Sequence, residues 1–376
     1  MNDYRKVQSW ENVRPEQWND WKWQVKNRIT SCEQLGGIIK LQEGEKDEIE
    51  SCLGHFRMAI TPYYAMLMNP DGLGCPIKKQ AVPSIEELTV DECDMEDPLG
   101  EERFSPVEGI VHRYPDRVLF ILTHKCSMYC RHCTRRRVVG CEDCSVRNDK
   151  LKKAFDYIEQ NTGIRDVLLS GGDPLVMSDI RLEEIIKGLR RIPHVEVIRI
   201  GTRAPVVLPM RITDELLNML RKYHPIWINT HFNHPNEITA ESSLACERIA
   251  DAGIPIGNQT VLLRGINDNA ETLKELFIKL VKIRVRPYYL YQCDIAKGIG
   301  HFRTPVSQGI EIMKKIRGYI SGYAVPTFVI DAPGGGGKMP VNPDYIISLD
   351  ERKAVLKNYV GEIYTYPNRS SESDRA

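Results

Sequence analysis

Nothing in this chain approaches the roughly eighteen consecutive apolar residues that a membrane span requires. The N-terminus, Met1-Asn-Asp-Tyr-Arg-Lys6, is polar and lacks the apolar core of a secretory signal. Together these absences predict a cytoplasmic protein with no membrane partner. An excess of charge of one sign is also missing. The chain has 51 basic and 51 acidic residues, and this balance argues against nucleic acid as a partner, which normally demands a strongly basic face. The 11 cysteines are odd in number and scattered, and none follows Cys293. That pattern fits a reducing compartment better than a disulfide framework. The remainder has the balance of an ordinary soluble globular protein, 42% hydrophobic and 27% charged over 376 residues, enough for one large core or two modest ones.

The most informative segment is Cys126-Ser-Met-Tyr-Cys130-Arg-His-Cys133. Three thiolates at i, i+4 and i+7 can hold three corners of a four-iron, four-sulfur cluster, which needs four cysteines to be saturated by protein. With three, one iron keeps an open position where a substrate or cofactor can bind and react. A zinc site would need a second CxxC-like half at a longer spacing, and none lies there. A disulfide within one tight loop would leave an odd cysteine. The loop follows a strand-like run, Arg117-Val-Leu-Phe-Ile-Leu-Thr123, the context in which this spacing is least expected by accident.

From Trp18 to about Cys52, apolar residues Val25, Ile29, Leu35, Ile38 and Ile39 recur at helical spacing among charged ones, predicting helices. The tryptophans Trp18, Trp21 and Trp23 read as packing or subunit contacts. Residues 69 to 107 are rich in Pro, Gly, Asp and Glu and read as an irregular acidic connector. Beyond residue 117, short apolar runs alternate with longer amphipathic ones, the signature of βα units around a parallel sheet. Expected strands are 118–123, 166–170, 195–201, 226–230, 257–262 and 287–291. Six such units suit an incomplete βα barrel or a doubly wound open sheet. In both, active-site residues stand at the C-terminal strand ends. The cysteine loop, Ser170-Gly-Gly-Asp173, His231, Gln259 and Asp294 all fall there.

At this point the chain resembles the lysine 2,3-aminomutase family of radical S-adenosylmethionine (SAM) enzymes. The resemblance is carried by Arg57-Met-Ala-Ile-Thr-Pro-Tyr-Tyr64, His112-Arg-Tyr-Pro-Asp-Arg117, the cysteine loop with Thr134-Arg-Arg-Arg137, Leu169-Ser-Gly-Gly-Asp-Pro174, Thr230-His-Phe-Asn-His-Pro235 and Asp331-Ala-Pro-Gly-Gly-Gly-Gly-Lys338. It runs from about Trp18 to about Tyr366. It implies an α/β fold: a partial (βα)6 radical-SAM barrel over 108–295, preceded by a helical region and connector over 1–107. A C-terminal segment binding pyridoxal 5′-phosphate (PLP) would follow over 296–366, with a disordered tail over 367–376. The implied cofactors are a 4Fe-4S cluster on Cys126, Cys130 and Cys133, SAM, and PLP. The implied reaction is the interconversion of L-lysine and L-β-lysine, with an amino-acid substrate, an electron donor of flavodoxin or ferredoxin type, and a homo-oligomeric state.

Residue by residue, two glycines that admit a close ligand and a carboxylate make Ser170, Gly171, Gly172 and Asp173 the place where, by resemblance, the amino group of SAM is received. His132, His231, Gln259 and Tyr291 are candidate lining residues of that pocket, and each would serve equally well in packing. Four glycines before Lys338 let a lysine reach in from a mobile or tightly turned loop. Alone they would read as a flexible surface turn, whereas in the family this lysine forms the Schiff base with PLP, which requires it to lose a proton. Arg113, Tyr114 and Arg117 suit the PLP phosphate and Arg135 the substrate carboxylate, while Arg136 and Arg137 read as solvated or structural. Asp294 and Asp331 match positions that hold the distal ammonium in the lysine enzymes. The glutamate-specific relatives carry a lysine and an asparagine there. Two buried carboxylates are costly without a cation between them, so the pair predicts a cationic side chain.

Clostridial-type members build a zinc site from C-terminal cysteines and one cysteine of the segment that reads Arg264-Gly-Ile-Asn-Asp-Asn269 here. Asn269 replaces that cysteine, so the zinc site is expected to be absent. Cys141 and Cys144 form a spare CxxC that reads as a loop pair, since two ligands do not close a zinc site. Competing readings are an arginine 2,3-aminomutase, a mutase that modifies a translation factor, and a non-catalytic iron–sulfur protein. The last would have no need of Lys338, Asp294 and Asp331 together.

Overall fold

The computed structural model describes residues 3–140 and 148–368. The Cys141–Cys144 pair and the tail from Arg369 lie outside the described residues. Nine strands form one sheet in sequential order: β1 (Ile110–Tyr114), β2 (Arg117–Thr123), β3 (Asp166–Gly171), β4 (Val197–Gly201), β5 (Ile226–Thr230), β6 (Ile256–Leu262), β7 (Val285–Gln292), β8 (Thr327–Ala332) and β9 (Gly337–Pro340). Neighbours from β2 to β8 pair in parallel, while β1 and β9 cap the two edges antiparallel. The six expected strands are β2 to β7. The sheet goes further than they do, because Thr327–Ala332 adds a seventh parallel strand after the helix Val306–Ile316. The boundary expected at 295/296 therefore falls inside one continuous sheet.

Each parallel strand alternates between two environments, as period-2 geometry requires. In β3, Val167 and Leu169 are buried against the helical layer, while Asp166, Leu168 and Ser170 line a central cavity. In β4, Ile198 and Ile200 pack outward and Arg199 and Gly201 inward. The outer helices present matching stripes: Leu182, Ile185, Ile186 and Leu189 from Asp179–Arg190, and Leu273, Leu276, Phe277 and Leu280 from Ala270–Lys282. Asn269 caps this second helix by accepting from the Thr272 N–H, the work of an N-cap.

Where β1 meets β9, closure is by side chains. The backbone N–H of Lys338 in β9 donates to the Tyr114 hydroxyl in β1 at 3.0 Å, and Arg113 Nη2 in β1 lies 3.1 Å from Asp331 Oδ1 in β8. The sheet thus curls into a nearly closed barrel around a cavity of about 920 Å³.

The N-terminal helices Pro15–Trp18, Trp21–Lys26, Cys32–Gly36 and Glu45–Leu53 cover the end of the barrel that carries the cysteine loop. Their aromatic residues pack: Trp18 stacks on Tyr4 at 4.1 Å and meets Trp10 edge-on at 5.4 Å, while Arg211 lies over Trp21. The connector is not wholly irregular, since it carries the helix Pro76–Ala81 and the 3-10 turn Ile85–Leu88. After β9 come three antiparallel strands, β10 (Ile346–Leu349), β11 (Lys353–Lys357) and β12 (Ile363–Pro367). The last reaches the position where the tail was expected to begin.

Gly309 lets the helix Val306–Ile316 sit directly on β8, because a methyl group there would overlap the ring of fully buried Phe328. Gly309→Ala is expected to destabilise the protein by about 1–3 kcal/mol through overpacking. In a urea titration this would appear as a lower midpoint with an unchanged slope.

Candidate active site

The loop after β2 is fixed from outside the barrel. Tyr129 N–H donates to Ala59 O and Arg131 N–H to Gln80 O, both at 2.9 Å. Arg28 Nη1 donates to Cys126 O at 2.6 Å. The Arg131 guanidinium is buried against both oxygens of Glu87, itself 1% exposed, and donates to Arg57 O. Arg136 shares Glu87 and stacks over Phe56 at 3.7 Å, and Arg137 lies 3.4 Å from Asp97, so both have structural attachments. Cys126, Cys130 and Cys133 all line the cavity wall. Burial first, and then nearby acidic groups, push Cys126 well up; burial and Cys130 push Cys133 up to about 11. Three sulfurs on one loop at the cavity wall are a soft donor set, and this fits an iron–sulfur cluster.

Behind Cys130 lies a network the sequence did not reveal. Arg203, just past β4, donates to Cys130 Sγ at 2.9 Å, to Gln80 Oε1 at 2.6 Å and to Glu237 Oε1 at 2.6 Å. Tyr64 donates to the same Glu237 oxygen at 2.7 Å, and Asn233 donates to Gln80 and meets His132 Nε2. Burial and then Arg203 hold His132 well below the ordinary histidine value and His231 at about 4. Both rings are therefore neutral at the cavity wall, and His132 Nδ1 is left without a partner.

The glycines after Ser170 are packed backbone on backbone. Gly172 N–H donates to Thr123 O at 2.5 Å and Asp173 N–H to Lys125 O at 2.8 Å. A Cβ on Gly171, at φ +127°, would overlap Thr123 O, and one on Gly172 would overlap Lys125 O. The turn is thereby locked to the cysteine loop. The Asp173 carboxylate is occupied, accepting from Thr202 Oγ1 at 2.7 and 2.8 Å, Leu175 N–H at 2.9 Å and Arg203 N–H at 2.9 Å. Burial still pushes it above the usual carboxylate range. The turn consequently offers the cavity chiefly backbone groups, and the side chain expected to receive an ammonium is committed to holding the turn. Gln259 and Tyr291 line the same cavity.

At the opposite wall the glycine run is tightly turned. Gly334, Gly335 and Gly337 have φ of +71°, +88° and +90°, and Gly334 N–H donates to Pro98 O at 2.9 Å. Lys338 Nζ lies 2.7 Å from Asp331 Oδ2 and 5.5 Å from the centre of the Tyr291 ring. Asp331 Oδ1, beside Arg113, is buried without an aligned hydrogen bond. Arg113 Nη2 also reaches the Tyr114 hydroxyl at 3.2 Å, and Arg117 covers the Tyr114 ring at 3.9 Å. Asp294 is pushed up to about 7 by burial and then by Asp331, against Lys338 and Arg113. A lysine amine beside two arginines, with a buried carboxylate oxygen left over, fits a phosphorylated aldehyde such as PLP. Between the two walls, Arg135 is gripped by Glu101, another residue that no sequence pattern singled out.

Two family models match the chain, one described as Lysine-2,3-aminomutase over residues 313–375 and one as Radical SAM superfamily over residues 120–277. The L-lysine 2,3-aminomutase of Clostridium subterminale is 58% identical over 96% of this chain and 87% of its own length. That of Bacillus subtilis is 53% identical over 97% of this chain and 77% of its own. The glutamate 2,3-aminomutase of Clostridioides difficile is 47% identical, covering 96% and 85%.

Arg203→Met would leave the fully buried Glu237 charge without its partner. The expected cost is about 3–5 kcal/mol, read as a lowered denaturation midpoint, with part of the loss recovered in Arg203→Met/Glu237→Gln.

Proposed function

The chain belongs to the lysine 2,3-aminomutase family of radical SAM enzymes, and from that membership we propose that it interconverts L-lysine and L-β-lysine. The observation that carries the choice of substrate is the pair Asp294 and Asp331 at the wall beside Lys338, with Asp294 pushed up to about 7 by burial and then by Asp331. When bound, the 4Fe-4S cluster with SAM supplies a carbon radical able to take hydrogen from the substrate, and PLP supplies the carbonyl that carries the migrating nitrogen.

The residues divide this work by position. Cys126, Cys130 and Cys133 would hold the 4Fe-4S cluster. Ser170, Gly171 and Gly172 with His132, His231, Gln259 and Tyr291 form the SAM end, and Asp173 fixes their turn. Arg113, Tyr114 and Arg117 serve the PLP phosphate. Lys338 Nζ must shed a proton to join PLP, and Asp331 Oδ2, 2.7 Å away, holds that nitrogen at the cavity wall. Once Arg113 and Lys338 are engaged elsewhere, Asp331 and Asp294 lack a cation, and the ammonium at the end of a lysine side chain replaces it. Arg135 holds the other end of the amino acid by its carboxylate. Neutral histidines at the cluster wall avoid adding positive charge beside it.

No described helix is long and apolar enough to cross a membrane. We place the enzyme in the cytoplasm, reduced by a flavodoxin- or ferredoxin-type donor and assembled as a homo-oligomer.

An anaerobic assay of the reconstituted protein with SAM, PLP and reductant, offered lysine, arginine and glutamate in parallel, tests the reaction. β-Lysine is the expected product. β-Arginine as the main product would overturn the substrate, and SAM cleavage without any β-amino acid would overturn the reaction.

A cationic side chain favours ionised Asp294, so lysine binding is expected to release a proton below pH 7 and to tighten as pH rises through that value. Calorimetry of the PLP-loaded protein in buffers of different ionisation enthalpy should show this release fading above pH 8 and lost in Asp294→Asn. In the unliganded protein the raised carboxyl binds its proton more tightly than the unfolded chain does. Its contribution to stability therefore declines as pH climbs from 3.8 towards about 7.

A further inference from the structure

Arg135 can meet a carboxylate through two edges, the side formed by Nε and one terminal nitrogen and the end formed by both terminal nitrogens. Glu101 occupies the side edge: Nε lies 2.9 Å from both of its oxygens, and Nη2 lies 2.5 Å from Oε1. On the end edge Nη1 makes only long contacts, donating to Gly171 O at 3.4 Å and Ser170 Oγ at 3.5 Å, and the side chain lines the cavity. Glu101 itself is 8% exposed, so the pair is well shielded and its geometry is held firmly.

The place of Glu101 is in turn fixed by the turn that carries Lys338. Pro98 O accepts from Gly334 N–H at 2.9 Å, and Phe104 N–H donates to Gly100 O. Gly100, at φ +64°, lies so close that a Cβ would stand 3.0 Å from Gly334 O. Leu99 O lies 3.4 Å from Arg113 Nη1, and the Phe104 ring covers Gly335 closely enough to exclude a side chain there. The strap 98–104 therefore touches the Lys338 turn, Arg113 and Arg135 at once.

We propose that Glu101 is a positioning residue, which aims the end edge of Arg135 at the substrate α-carboxylate and, through the strap 98–104, sets it at a fixed distance from Lys338. This rests on the reading of Arg135 as the carboxylate receiver. Charge and aim have opposite signs here. Removing the Glu101 charge would by itself strengthen the pull of Arg135 on a carboxylate, whereas loss of aim weakens the contact. Aim prevails because a paired hydrogen bond from a guanidinium depends on alignment.

The test compares L-lysine with cadaverine, which is lysine without its carboxylate, by titrating each into PLP-loaded protein and following the pyridoxal absorbance. Glu101→Gln is expected to weaken lysine by about tenfold and cadaverine by less than about twofold, with iron content retained. Gly100→Ala, which shifts the strap and keeps the carboxylate, is expected to give the same lysine-selective loss. Equal weakening of both ligands in Glu101→Gln would mean general disruption, and unchanged or tighter lysine binding would mean a charge effect alone; each overturns the proposal. Arg135→Gln serves as the separate control. If it erases the preference for lysine while Glu101→Gln does not, only the role of Glu101 fails. If it leaves the preference intact, the reading of Arg135 falls and the proposal with it.

Discussion

Asp331 stands where the two edges of the barrel meet, paired with Lys338 at 2.7 Å on one oxygen and beside Arg113 at 3.1 Å on the other. No ladder joins β1 to β9, so this charged seam and the Tyr114 hydroxyl hold the cavity closed on that side. The same carboxylate closes the wall and holds the Lys338 amine, and in the function proposed here it is also half of the acidic pair at the distal end of the substrate. On that proposal cofactor loading and substrate recognition would be tied, because Lys338 and Arg113, which balance Asp331 here, are the groups assigned to PLP.

The opposite wall depends on backbone proximity. Gly171 and Gly172 let the end of β3 press against the beginning of the cysteine loop, with two main-chain hydrogen bonds at 2.5 and 2.8 Å. Any side chain there would separate the cluster loop from the turn beside it. Buried ion pairs complete the support, Arg131 and Arg136 on Glu87 and Arg203 on Glu237. Such pairs add little net stability over apolar packing, but they are costly to break. They suit a site whose parts must hold position while charge changes around them.

How much was legible follows from the range over which each signal acts. The parallel strands β2 to β7 were readable within a few residues, since the alternation of apolar runs and amphipathic helices is local. β8 was missed because its apolar run was taken as part of a separate cofactor segment. β1 and β9 are short edges of mixed composition, in which polar site residues displace the apolar pattern. Lys338 was legible as a glycine-flanked lysine, yet its turn was open to a flexible reading until Phe104 and Pro98 were seen packed against it. Asp173 lay in a motif assigned by resemblance to the SAM amino group, and its partners Thr202 and two backbone donors, which come from beyond the motif or from its backbone, were not legible there.

The sequence by itself determined the chemistry that fits within a few consecutive residues: three thiols at cluster spacing, a double glycine after a strand, and a lysine after four glycines. Only the tertiary structure decided which residues hold these groups in place. Glu101 meets Arg135 from 34 positions away and Arg203 meets Cys130 from 73. Pairings of that kind leave no periodicity in the chain, because they are set by how strands and connectors pack in space and carry no trace in the local order of residues.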